Sequence, residues 1–239
     1  MNARIVSLVP SATETLVALG VTPIAVSRFC ELDGVPTVGG TKNPDVGAIV
    51  ALAPDLVVVN DEENRLEDAH TLAEAGVALH SMSPRSVHEV GPEVRALCAR
   101  LEVGVPAPFG ADDWDAWVAS MLTPRWWDAF VPVWRRPYMS LATDTYGASL
   151  LDLVGVGNVF ADSRLRYPEV ELTEVVARAP NLVLLPSEPY EFGPKHAAEI
   201  TAVMPSVPVA FVDGRDLFWW GVRTPAAAAR LRASLPATR

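Results

Sequence analysis

A ten-residue phrase occurs twice in this chain: Val50-Ala-Leu-Ala-Pro-Asp-Leu-Val-Val-Val59 returns as Val176-Ala-Arg-Ala-Pro-Asn-Leu-Val-Leu-Leu185. Each copy reads as a helix end stopped at Pro54 or Pro180, followed by a short strand that is apolar throughout. A strand apolar on both faces has to be covered on both faces, which is the situation of a central strand in a parallel sheet flanked by helices. The expected fold class is therefore α/β, with two similar Rossmann-like lobes and mainly parallel sheets. Two such lobes facing one another leave a cleft, and clefts between domains are favoured places for small ligands.

The lobes can be followed along the chain. In the first, a strand over 4–9 meets Pro10, and Ser11-Ala-Thr-Glu14 has the S-x-x-E spacing of a capping box. Gly20 ends that helix in the position where a left-handed cap residue is favoured. A strand at 23–26, a helix near 45–53, the strand 55–60, a helix near 64–75 and a strand at 77–81 follow. The second lobe opens on a strand at 138–141, continues with a helix near 147–154 that ends at Gly155, a segment 171–179 that leads into the strand 181–185, a helix over 194–203 and a strand over 208–212, and closes on a helix that Thr224-Pro225 starts. Strands and helices in this alternation imply right-handed parallel crossovers. The stretch 103–137 differs, with Trp114, Trp117, Trp126, Trp127 and Trp134 among Pro106, Pro108, Pro124 and Pro132. It reads as a helical connector in which Trp114, Trp117 and Met121 form a packing face at helical spacing. The expected domains are thus 1–102, a connector at 103–137, and 138–239.

Composition excludes several functions. With 239 residues, half of them apolar, the chain can bury a substantial core. Its net charge of −10 and lack of a basic stripe argue against a nucleic-acid partner. No run of about 18 uncharged apolar residues is present to span a bilayer. The strand beginning at Arg4 leaves no room for a secretory leader, so the chain as written reads as cytoplasmic, and as extracytoplasmic if a leader precedes it. Cys98, with Val94, Leu97 and Leu101 around it, reads as core, and a disulfide to Cys30 is not expected.

Catalytic signatures are missing: no G-x-S-x-G elbow and no phosphate-binding G-x-x-x-x-G-K-[ST] loop occurs. Gly155-Val-Gly157 follows a helix and lacks a third glycine at Phe160, so it serves as a cap rather than a dinucleotide fingerprint. Of His70, His80, His88 and His196, only His80 is expected at a strand end facing the cleft, and no partner has a ligand's spacing, so no metal site is assigned. The acidic run Asp61-Glu-Glu63 between a strand and a helix suits a helix N-terminus.

Arg4-Ile-Val-Ser-Leu-Val-Pro-Ser-Ala-Thr-Glu14, Leu19-Gly-Val21 and Val38-Gly-Gly-Thr-Lys-Asn-Pro-Asp45, with Gly157-Asn-Val-Phe160, Arg166-Tyr-Pro-Glu169, Leu184-Leu-Pro-Ser-Glu-Pro-Tyr190 and Trp219-Trp-Gly-Val-Arg-Thr-Pro225, resemble the cobalamin-binding substrate-binding proteins of ABC importers. More broadly they resemble the helical-backbone metal receptor superfamily. The resemblance covers roughly 1–85 and 138–239. It implies two lobes linked by one helix and a non-catalytic solute-binding protein, holding a corrinoid or similar metal chelate in the cleft for import. Ser11, Phe29, Tyr146, Tyr167, Trp219, Trp220 and Arg223 would line the site, the aromatics giving contact area and Ser11 or Arg223 polar anchors. The resemblance also implies that Thr41 and Asn60 occupy positions where cobalamin binders of this type can carry tryptophan, so the first lobe offers less aromatic surface. Glu63 and Glu188, one per lobe, would dock on arginines of an ABC permease. The corrinoid is then a ligand, with no intrinsic cofactor, and the protein is expected to be a monomer. The alternatives are a cytoplasmic carrier or sensor of a corrinoid or metal chelate, or a binder of siderophore, haem or a bare metal ion.

Overall fold

The structure is a computed structural model that describes residues 3–236. By contacts the chain divides into two compact units. One comprises 3–84, 89–114 and 220–222; the other comprises 85–88, 115–219 and 223–236.

The first unit is built on β1 (Ile5–Ser7), α1 (Pro10–Ala18), β2 (Ala25–Val26), α2 (Val46–Ala51), β3 (Leu56–Val59), α3 (Leu66–Glu74) and β4 (Leu79–Ser81). Its sheet has the order β2-β1-β3-β4, and every pairing is parallel. All residues of β1 and β3 are buried, as strands covered on both faces require. Val6, Leu8, Val57 and Val59 meet Ile49 of α2 and Leu72 of α3 in the core.

The second unit contains β5 (Trp127–Phe130), β6 (Pro132–Trp134), β7 (Tyr138–Ser140), α6 (Tyr146–Leu153), β8 (Val156–Asn158), β9 (Glu169–Val170), α7 (Leu172–Ala177), β10 (Leu182–Pro186), α8 (Pro194–Val203), β11 (Val209–Val212), α9 (Gly214–Phe218) and α10 (Thr224–Ser234). Its main sheet, β11-β10-β5-β8, is again wholly parallel. Read from the other edge, β8-β5-β10-β11 follows chain order in the same way as β2-β1-β3-β4. The sheets are topological copies.

Local geometry repeats as well. Ala53 and Ala179, which occupy the same place in the two phrases, both take positive φ, 45° and 50°. This conformation costs a Cβ-bearing residue of order 1 kcal/mol or more and persists only where the surroundings impose it. One residue past each proline, a side chain clasps the first strand of its sheet: Asp55 Oδ2 accepts the Arg4 N–H at 2.7 Å, and Asn181 Oδ1 accepts the Asp128 N–H at 2.7 Å. The same residues donate their own N–H groups back to the Arg4 and Asp128 carbonyls, at 2.8 and 2.9 Å. Gly20 after α1 and Gly155 after α6 both have positive φ, the left-handed cap expected there.

Several expectations are corrected. The S-x-x-E capping box does not form: Pro10 starts α1, with Val9 as the capping residue and no side-chain cap bond, so Ser11 lies inside the first turn. Proline supplies the helical φ and leaves one fewer donor to satisfy. The strand expected at 138–141 forms as β7, but in a small antiparallel sheet of order β6-β7-β9. The strand equivalent to β1 is β5, inside the stretch read as connector. That stretch is divided: residues to Trp114 belong to the first unit, and those from Asp115 onward to the second. Helix α4 (Val87–Leu101) begins in residues of the second unit and continues in the first, whereas α5 (Ala111–Met121) begins in the first and ends in the second. Trp114 is fully buried and stacks on Phe109, with ring centroids 4.8 Å apart, which agrees with the packing role read from its spacing. Cys98 is buried in the core, and both cysteines are free thiols.

Candidate functional site

In open parallel α/β sheets, ligands are taken by loops at the carboxyl ends of the strands, where neighbouring connections run to opposite sides. In the first unit that place is between β1 and β3; in the second, between β5 and β10. Every sequence-predicted residue lies in a segment leaving a strand's carboxyl end. Ser11 follows β1, Phe29 follows β2 and Glu63 follows β3. Tyr146 heads α6, Tyr167 follows β8, Glu188 follows β10, and Trp219, Trp220 and Arg223 come after β11 and α9.

In the first unit, Ser11 is buried at the head of α1, whereas Phe29 is 52% exposed with the Arg28 guanidinium 5.0 Å from its ring centroid. The floor under this loop is a buried polar cluster. Thr13 Oγ1 lies 2.8 Å from Ser7 Oγ and 3.1 Å from Cys30 Sγ, and the Ser27 hydroxyl lies 3.2 Å from the same sulfur. Burial pushes the Cys30 thiol pKa up, so it stays protonated and serves as packing.

The acidic turn is organised by two asparagines. Asn60 Oδ1 accepts the Glu62 and Glu63 N–H groups at 2.8 and 3.0 Å, and its amide donates to the Met82 carbonyl at 2.8 Å. Asn64 accepts the Asn60 N–H at 2.8 Å and donates to the Thr41 carbonyl at 2.9 Å. Asn60 is buried and shapes the loop. Lys42 Nζ donates to the Glu62 carbonyl.

In the second unit the carboxyl-end segments are tied to one another. Arg166 Nε reaches Asp144 at 3.0 Å and Arg85 reaches the same carboxylate at 3.6 Å. The Ala142 N–H donates to the Arg166 carbonyl at 2.8 Å, which seats Tyr167, 37% exposed, beside the head of α6. Tyr146 is buried, its hydroxyl 2.9 Å from that of Thr224. Trp219 is half-buried, with Arg215 and Arg223 guanidinium carbons 5.5 and 5.3 Å from its ring and its indole N–H donating to Glu188 Oε2 at 3.1 Å. Arg223 pairs with Asp216 Oδ1 at 2.8 Å, and Arg230 reaches the same buried carboxylate at 2.6 Å. Trp220 is buried and belongs to the first unit, where the adjacent Val222 N–H reaches Thr15 Oγ1 at 3.4 Å.

The predicted residues therefore fall into three kinds. Phe29, Tyr167 and Trp219 present aromatic surface; Ser11, Tyr146 and Trp220 are buried; Arg223, Glu188 and Glu63 are held by neighbours in their own unit. Sequence reasoning missed Arg215 and Asp216, which fix Trp219 and Arg223 from the short helix α9. Two charged residues after the Val209–Val212 strand were the available signal, and a five-residue helix has too little periodicity to show.

Burial, then nearby Arg100, lowers the His80 pKa and keeps the ring neutral. Among the described residues no group of three or more His, Cys, Asp or Glu side chains is placed to hold a metal ion. Among the same residues no helix is long and apolar enough to cross a membrane.

No protein-family model matches the chain. Curated relatives do. A vitamin B12-binding protein of Salmonella choleraesuis is 26% identical over 190 residues, 76% of this chain and 71% of its own length. One from Vibrio cholerae is 26% identical over 193 residues, 75% of this chain and 69% of its own. The chain is thus similar in sequence to vitamin B12-binding proteins. Solved structures share its fold: the periplasmic vitamin B12-binding protein of Vibrio cholerae superposes with a TM-score of 0.77 at 21% identity, covering 97% of this chain and 96% of that one. The periplasmic haem-binding protein of the same organism gives 0.81 at 18% identity, covering 98% of both chains. A periplasmic haem-binding protein of Roseiflexus, in its apo form, gives 0.79 at 20%, again over 98% of both. The two-lobed α/β class read from the repeated phrase is thus the fold of periplasmic binding proteins. Each of these proteins is named for what it binds, not for a reaction.

Proposed function

We propose that this chain is a non-catalytic solute-binding protein for ABC-type import, and that its ligand is a flat, metal-bearing macrocycle of the corrinoid class. The observation that supports it most is the pair Phe29 and Tyr167. Each is an exposed aromatic in the loop after the outer strand beside the first strand of its sheet, β2 in one copy and β8 in the other. An exposed aromatic ring on a carboxyl-end loop, present in both copies of a duplicated sheet, suits a ligand with two broad apolar faces, because ring contacts and buried apolar area supply its affinity. Trp219 adds a third aromatic surface, and the arginines around it add polar anchors for the amide or acidic groups that such macrocycles carry at their rim.

Corrinoid is preferred to haem because the curated relatives are vitamin B12-binding proteins, while the haem binders resemble this chain only in fold. In this reading the ligand is cargo rather than a cofactor. The protein acts outside the cytoplasmic membrane as a monomer and delivers to a permease, with Glu63 and Glu188 as docking residues. Titration with cyanocobalamin, and separately with hemin, while following tryptophan fluorescence tests it. Saturable quenching by cyanocobalamin at micromolar concentration or below is expected; tight binding of hemin alone would move the assignment to haem, and silence with both would remove the macrocycle.

A further inference from the structure

Among the differences between the two copies of the ten-residue phrase, one replaces an apolar side chain by a charged one: Leu52 in the first copy, Arg178 in the second. The backbone there is the same. Each residue caps the carboxyl end of its helix in helical conformation, with φ −72° and ψ −11° at Leu52 and φ −79° and ψ −5° at Arg178. Leu52 packs against the core of the first unit, whereas Arg178 reaches the loop between β8 and β9 that carries Tyr167. Its Nη1 donates to the Val159 carbonyl at 2.7 Å and to Asp162 Oδ1 at 2.6 Å, and its Nε meets Glu174 Oε1 at 3.3 Å. Its guanidinium carbon stands 4.5 Å from the centroid of the Phe160 ring. Beside these contacts, Thr143 Oγ1 donates to the Ala161 carbonyl at 2.6 Å. At the far end of the loop, the Ala142 and Ser140 N–H groups donate to the Arg166 and Pro168 carbonyls at 2.8 and 2.9 Å, one on either side of Tyr167.

We propose that Arg178 is a positioning residue for Tyr167: it fixes the near end of the loop, so that the ring meets the ligand already in place. The proposal rests on the solute-binding reading above and adds a residue that acts on affinity through another. The contacts differ in weight. The pairs with Asp162, 71% exposed, and Glu174, 48% exposed, are open to solvent and hold little by themselves. The Val159 carbonyl and the Phe160 face are the stronger anchors. A charged donor makes the shorter and stronger kind of hydrogen bond, and the guanidinium lies over a ring that is itself fully buried. Leucine offers neither contact, so the first copy does not hold a loop in this way from the same helix end. A loop ordered before binding loses less conformational freedom when the ligand arrives, and affinity is retained for that reason.

Arg178→Leu, which gives the second copy the side chain of the first, tests it, with Asp162→Asn beside it to weaken the exposed ion pair alone. The Ala161, Ser163 and Leu165 amides bond within the loop, to the Asn158 carbonyl, the Phe160 carbonyl and Ser163 Oγ. In ligand-free protein their hydrogen exchange should be faster by about tenfold in Arg178→Leu and within about twofold of wild type in Asp162→Asn. Exchange at the Val183 amide in β10 should not change, which separates opening of the loop from a general loss of stability. Cyanocobalamin should bind about tenfold more weakly to Arg178→Leu than to wild type, the scale of a lost bond to a charged group. In a Tyr167→Ala background the same substitution should have no further effect, because the ring through which it acts is gone. Unchanged loop exchange in Arg178→Leu, an equal rise at Val183, an equal rise in Asp162→Asn, or affinity losses that add in the double variant would overturn the proposal. If wild type fails to bind cyanocobalamin, the corrinoid reading falls by itself, and the exchange measurement still decides whether Arg178 orders the loop.

Discussion

His196 shows how one buried side chain ties local structure to solution conditions. Its Nδ1 accepts the Gly193 N–H at 2.9 Å at the head of α8, and Nε2 lies 3.3 Å from the Tyr190 hydroxyl. That bond needs an unprotonated Nδ1, and burial, with Lys195 and Arg135 nearby and Glu199 opposing them, lowers the His196 pKa from its ordinary 6.5. The fold thus favours the neutral ring. Its contribution is complete above the ordinary value and is lost as pH falls through it, because the unfolded chain then binds a proton that the folded state resists. Thermal melts between about pH 7.5 and about pH 5.5 should show a loss of stability that shrinks in His196→Gln; an identical slope in the variant would exclude this origin. Asp216 is a second buried polar group. Its buried carboxylate serves both Arg223 and Arg230, so Asp216→Ala should cost about 2 kcal/mol in chemical denaturation, the size of a lost bond to a charged group. A loss near zero would mean that the arginines find other partners.

At the level of elements, the duplicated clasp is the most direct consequence of the repeated phrase. Asp55 and Asn181 each hold the first strand of a parallel sheet by a side-chain acceptor and a backbone donor. Asp55→Ala and Asn181→Ala should each cost about 1 kcal/mol, and because they lie in different units the two losses should add. A double variant no less stable than the worse single variant would show that only one clasp matters. These elements were legible because their signals are local: β3 and β10 are short apolar runs that follow a helix-stopping proline, and α8 begins and ends where its proline and apolar spacing put it. What escaped was non-local. Trp127–Phe130 carries the same role as Ile5–Ser7, but it sits among prolines and tryptophans, and its neighbour β8 has two polar-context residues, Gly157 and Asn158, in three. Inserting β6 and β7 between β5 and α6 separated the strand from its helix, so the 138–141 segment took its place in the reading. The capping box failed for a local reason, Pro10 having already supplied a helix start one residue earlier. For the candidate site, the positions of exposed aromatics were readable from the resemblance, whereas the charges that hold Trp219 depend on contacts between loops 27 residues apart in sequence.

For the whole molecule, each copy of the α/β design carries one exposed aromatic on the loop after the strand beside its first strand, Phe29 in one and Tyr167 in the other, and the proposed function makes both of them ligand contacts. Phe29 and Tyr167 are solvent-exposed, so replacing either by alanine should leave the melting temperature nearly unchanged while weakening cyanocobalamin by about tenfold, the scale of one lost aromatic contact with its buried area. Calorimetric titration of wild type, Phe29→Ala, Tyr167→Ala and the double variant is the most direct test. The account predicts one cyanocobalamin per chain, a loss from each single variant and a larger loss from the double; two ligands per chain, or a single variant that binds like wild type, would contradict it.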